Sequence, residues 1–83
     1  MRKYVVLPKT MANVQKLMIY GTTDGVFVFL YDTVKDAPCF ADIFFETLEE
    51  AEEYCQEYGV KKEDWTFVPN PLDGCFHDLI ESH

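Results

Sequence analysis

The sequence predicts an α+β fold: a mainly antiparallel sheet of four or five strands with one helix packed on one face, in the order β-β-β-β-α-β. Three observations carry this. Residues 26–31, Val-Phe-Val-Phe-Leu-Tyr, are an unbroken run of strand-formers. Residues 39–45 follow a polar connection and alternate Cys39, Ala41, Ile43 and Phe45 with Phe40, Asp42 and Phe44. Next comes a segment with both start and stop signals of a helix, running from Thr47 to Gly59.

The helix has the most independent support. Thr47 and Glu50 stand at capping-box spacing: the Thr oxygen accepts from the third backbone N–H, and the Glu reaches back to the cap. Glu49, Glu50, Glu52 and Glu53 crowd the first turns, where the positive end of the helix dipole favours carboxylates. Leu48, Ala51, Cys55 and Tyr58 recur at helical spacing as one apolar stripe, which Tyr54 widens. Gly59 stands where a left-handed closing residue belongs, and Val60 after it is placed to touch Cys55.

Before the helix, residues 3–7 read as a first strand that Pro8 ends, with 9–13 as a polar connection. Residues 14–20 read as an edge strand, because Lys16 and Gln15 interrupt the alternation. Gly21-Thr22-Thr23-Asp24-Gly25 is a tight hairpin turn. The run 26–31 lacks polar residues on either face, so it is expected to be central and covered on both. Its pairing with 39–45 has two plausible registers. Tyr31 opposite Cys39, Phe29 opposite Ala41 and Phe27 opposite Ile43 is preferred, since each ring then meets a smaller group. A one-residue slip instead puts Phe27, Phe29 and Tyr31 on the face of Phe40, Asp42 and Phe44.

After the helix, 60–64 is a charged link, 65–68 a fifth strand, and 69–74 irregular, since Pro69 and Pro71 remove two donors. Residues 75–81 fit either a short helix capped by Asp73 or an extended segment. One short helix covers one sheet face. The C-terminal segment or a second copy must cover the other.

Eighty-three residues make one domain, 1–83. No apolar run approaches the ~20 residues that span a bilayer, and the basic start lacks a signal-like apolar stretch, so a cytoplasmic protein with no membrane association is expected. The three cysteines, Cys39, Cys55 and Cys75, are odd in number and include no Cys-x-x-Cys pair, so no disulfide framework is expected, and Cys39 and Cys55 are expected as reduced thiols packed like small hydrophobes. The formal charge of −8 argues against nucleic-acid binding. The charge is uneven: Arg2, Lys3, Lys9 and Lys16 precede the first acid, while fifteen acids and three lysines follow. That division suits either an acidic face that steers a basic partner or a charge-matched homodimer, with the self-covered monomer favoured.

Candidate chemistry concentrates in Gly74-Cys75-Phe76-His77-Asp78. Cys75 and His77 have the types of a nucleophile and its base, but a third orienting group is not evident. Cys39, Cys55, Cys75, His77 and His83 match no common zinc spacing, so no metal and no cofactor are expected. The expected function is therefore non-catalytic protein binding through an acidic face, around Glu49, Glu53 and Glu57, or through self-association. The alternative is a small-ligand or metal-binding domain using Cys75, His77 and Asp78.

Residues 65–80, WTFVPNPLDGCFHDLI, add one association. An acidic helix, then a Trp, then Pro-x-Pro-Leu-x-Gly-Cys-x-His-Asp resembles the ending of a set of small uncharacterised bacterial proteins, over roughly the last third of the chain. The resemblance implies a bacterial origin and draws interest to Cys75, His77 and Asp78. It assigns them no role. Phe76 and Leu79 depart from that pattern.

Overall fold

The computed structural model describes residues 1–71 and 74–80. Leu72 and the proposed cap Asp73 lie outside the described residues, as do Glu81 and His83. Five strands form one antiparallel sheet: β1 (Arg2–Met11), β2 (Val14–Gly21), β3 (Val26–Tyr31), β4 (Ala41–Phe45) and β5 (Thr66–Val68). Their spatial order is β4-β3-β2-β1-β5, and the helix α1 (Leu48–Gln56) packs on one face. The fold is α+β. The first four strands form a meander, α1 returns beneath it, and β5 docks beside β1 after a single helical turn at Lys62–Asp64.

The first hairpin is tighter than its composition suggests. Met11 pairs with Val14 across a two-residue turn in which Ala12 (φ 50°) and Asn13 (φ 67°) both occupy the left-handed region. Alanine is a poor signal for that conformation, so the connection does not read as a turn. β1 also runs through Pro8 instead of ending there. The β1–β2 register breaks between Val6 and Met11, and β5 pairs only with residues from Arg2 to Tyr4, so Pro8 lacks no ladder bond for want of an N–H.

β2 is the middle strand and not an edge. Lys16, expected to mark an edge, is fully buried, with Nζ donating to the Lys35 carbonyl at 2.8 Å and lying 4.3 Å from the Tyr31 ring centre. The turn between β2 and β3 is held by Thr22, whose hydroxyl oxygen accepts from the backbone N–H groups of Asp24 and Gly25. Gly25 is required there, because a Cβ would stand 2.2 Å from the Phe44 ring.

The β3–β4 register is the slipped one, pairing Phe27 with Phe44, Val28 with Ile43 and Phe29 with Asp42. The preferred register is thereby corrected. Slipping by one residue puts Val28, Leu30, Ala41 and Ile43 beneath α1, where the aliphatic core has room for small groups. The rings of Phe27 and Phe29 then stack with Tyr20 on the opposite face. Cys39 is also corrected. It precedes β4 and packs with Met18, Phe29 and Tyr31, away from Ala41, Ile43 and Phe45.

α1 starts at the expected cap: Thr47 Oγ1 accepts from the Glu50 N–H at 3.2 Å, but the Glu50 carboxylate accepts from the Thr47 hydroxyl and not from the Thr47 backbone N–H that the capping-box spacing implied. Ala51 and Cys55 are buried against the sheet, with Tyr54, Tyr58 and Val60 beside them, while Leu48 stays partly exposed. Gly59 closes the helix at φ +80°. Residues 74–80 form turns, neither helix nor strand, and lie against the aromatic face, with Ile80 packed beside Phe29 and Tyr31. The chain's own C-terminal segment covers that part of the sheet. Replacing Thr47 with Ala is expected to lower stability by about 0.5–2 kcal/mol, because an N-terminal N–H loses its acceptor; the denaturant midpoint measures this.

Candidate functional site

The C-terminal segment is held chiefly by Arg2, with Tyr31, Asp36 and Asp78 adding further ties. Arg2 opens β1 and is only 2% exposed. Its guanidinium donates to the carbonyls of Pro69 (2.8 Å), His77 (3.1 Å), Leu79 and Ile80 (3.2 Å). A planar fork with five N–H donors suits such a cluster of acceptors. Tyr31 donates from its hydroxyl to the Asp78 carbonyl, the Asp78 carboxylate accepts from the Cys39 N–H at 2.9 Å, and Asp36 accepts from the Ile80 N–H at 2.7 Å. Burial, reinforced by Cys39 and Asp78, pushes the Tyr31 phenol up, so it stays a donor. Burial first, then Asp78, lifts the Cys39 thiol to about 12.

This geometry gives the three C-terminal candidates different tasks. Asp78 spends its carboxylate on the backbone of Cys39. His77 is exposed, and its ring rests 4.9 Å from that of Tyr20. Cys75 is half-buried. Asp78 and His77 thus turn to separate partners. Among the described residues no group of three His, Cys, Asp or Glu side chains is gathered to hold a metal ion, and the candidate ligand His83 lies outside them. The structural importance of Arg2, Tyr31 and Asp36 has no signal in the sequence, because each depends on residues more than 40 positions away.

Glu49, Glu53 and Glu57 are all exposed on α1, with Glu46 and Glu50 nearby. Glu52 turns inward and pairs with Lys3 at 2.8 Å, and the same ammonium lies 4.9 Å from the Trp65 ring centre. Glu49, Glu52, Glu53 and Gln56 line a shallow depression with Lys62 at its rim. Among the described residues, no helix is long and apolar enough to cross a membrane. No family model, curated protein or solved structure matches the chain.

Two predictions follow from this network. Replacing Arg2 with Met leaves buried carbonyls without a donor and is expected to cost roughly 1–3 kcal/mol. Hydrogen exchange should then show the Cys39 and Ile80 amides losing protection before the sheet amides, and Arg2→Lys should restore little, since one ammonium cannot span four acceptors. The second concerns Cys55, whose thiol burial raises from 9.0 to about 12. The unfolded chain ionises this thiol first, so its contribution is intact below pH 9 and is lost as pH rises towards 12. Lys16 opposes this, because burial lowers its pKa and the folded state gains as it deprotonates. Cys55→Ala should therefore make the alkaline fall of the denaturant midpoint shallower, whatever its effect at neutral pH.

Proposed function

We propose that this chain is a non-catalytic binding domain for a basic protein partner, which docks against the acidic face of α1 around Glu49, Glu53 and Glu57. The observation that carries this reading is where the positive charges go. Arg2, Lys3 and Lys16 are all buried, each tied to a carbonyl or carboxylate. Eleven described acids stay exposed against four lysines, so the surface is more one-sided than the sequence. Such a field steers cations and repels nucleic-acid phosphates.

The burial of three of the four N-terminal cations also weakens the motive for a charge-matched homodimer, because only Lys9 of that basic set stays exposed. A monomer is favoured, with part of its aromatic face already covered by its own C-terminal segment. The small-ligand reading at Cys75, His77 and Asp78 ranks second, since the Asp78 carboxylate is engaged with Cys39. The thiols of Cys39 and Cys55 suit a reducing cytoplasm, and the resemblance of residues 65–80 suits a bacterial one.

The test is affinity purification of the full chain from its host, at low and high salt, beside Glu49→Gln/Glu53→Gln/Glu57→Gln. A basic protein should be retained stoichiometrically at low salt and released when the Debye length falls to about 3 Å, near 1 M. The triple variant should lose it. A partner retained equally by both forms and at both salts would overturn the reading.

A further inference from the structure

We infer that the free edge of β4 accepts an extended basic segment of the partner as a sixth strand. The inference rests on the acidic-face reading and names where and how that partner binds.

A sheet edge offers a row of unpaired backbone groups, and natural proteins defend such rows with short strands, Pro, Lys or irregular register. The other open edges here are defended in those ways. β5 is three residues long and is followed by Pro69 and Pro71. β1 beyond Tyr4 carries Pro8 and Lys9 where its register with β2 breaks. β4 has none of these. Its five residues pair in unbroken register with β3, and among the described residues no other strand pairs with it. It contains no Pro and no Lys, and none of its residues is fully buried.

The side chains on this edge define the guest. Asp42 and Phe44 share the face away from α1, as their partners Phe29 and Phe27 do. Phe44 is 49% exposed although its ring meets Phe27 edge-on at 5.2 Å, and Phe40 just before the strand is 52% exposed. Ala41, Ile43 and Phe45 are half-buried on the helix side. A guest strand therefore meets apolar surface on both faces, with one carboxylate in the middle of the outer one. Cross-strand pairing favours an opposite charge beside Asp42 and an apolar side chain beside Phe44. A second copy fits poorly. It would bring its own Asp42 and Glu46 to the seam, on a chain of charge −8. The acids of α1, which packs over β3 and β4, add attraction for a basic strand. Main-chain bonds would supply affinity and the alternating side chains specificity, as in strand addition generally.

The test uses isotope-labelled full chain and three synthetic peptides of about seven residues, a length matched to a short strand. One, the Val–Lys peptide, carries a single central Lys among Val residues; the Val–Glu peptide has Glu in its place; and the third is the Val–Lys peptide N-methylated at alternate amides. The Val–Lys peptide should shift and protect the amides of Ala41–Phe45, N-methylation should abolish this, and the Val–Glu peptide should not bind. Asp42→Lys, an exposed substitution whose fold the same spectra verify, should weaken binding about tenfold by turning an opposite-charge pair into a like-charge one. If the Val–Lys peptide binds but perturbs only α1, tolerates N-methylation and depends on Glu49, Glu53 and Glu57, the edge inference falls and the acidic-face reading stands. If the Val–Glu peptide binds equally well, both fall. If no peptide binds, the edge inference falls, and the salt-dependent capture decides the acidic face separately.

Discussion

The guanidinium of Arg2 is the constraint on which one half of the molecule depends. A buried cation costs free energy unless its donors are met, and here backbone carbonyls from residues 69, 77, 79 and 80 meet them. To supply those carbonyls the chain beyond β5 must turn back across the face of the sheet opposite α1. Asp78 then reaches the Cys39 N–H, the Tyr31 hydroxyl finds the Asp78 carbonyl, and Asp36 takes the Ile80 N–H. The result is a cover of irregular backbone over Met18, Phe29 and Tyr31, with Ile80 packed against them.

The two faces of the sheet solve different packing problems. Beneath α1 the groups are mostly aliphatic and small, and Ala51 and Cys55 let the helix approach closely. On the other face Tyr20, Phe27 and Phe29 stack in a row, and turns of the C-terminal segment lie against them. This division selects the β3–β4 register. The alternative would bring Phe27 and Phe29 to the side of Ala41 and Ile43, mixing rings into the small-residue layer.

Internal use of the cations shapes the exterior. Lys3 serves Glu52 and Trp65, Lys16 serves the Lys35 carbonyl and Tyr31, and Arg2 serves the C-terminal carbonyls. Each binds elements distant in sequence, so the positive charges act as internal fasteners and the carboxylates are left facing solvent. Stability and surface potential are therefore linked here through the same few residues.

The sequence by itself determined what depends on near neighbours. The cap at Thr47, the close at Gly59, the turn at residues 21–25 and the strand character of Val26–Tyr31 rest on interactions a few positions apart, and local chemistry decides them. The acidic residues of α1 were legible for the same reason, since helical spacing alone places Glu49, Glu53 and Glu57 outward. Tertiary structure alone decided the rest. Lys16 reads as an edge residue until the distant Lys35 carbonyl satisfies it, and Pro8 reads as a strand end until its missing N–H is seen to face no partner. Cys75, His77 and Asp78 form a reactive-looking cluster in sequence, yet Asp78 folds towards Cys39 and His77 towards Tyr20. The physical reason is common to all three cases. A polar group's role is set by the partner that satisfies it, and these partners lie in segments distant along the chain, where no local pattern records them.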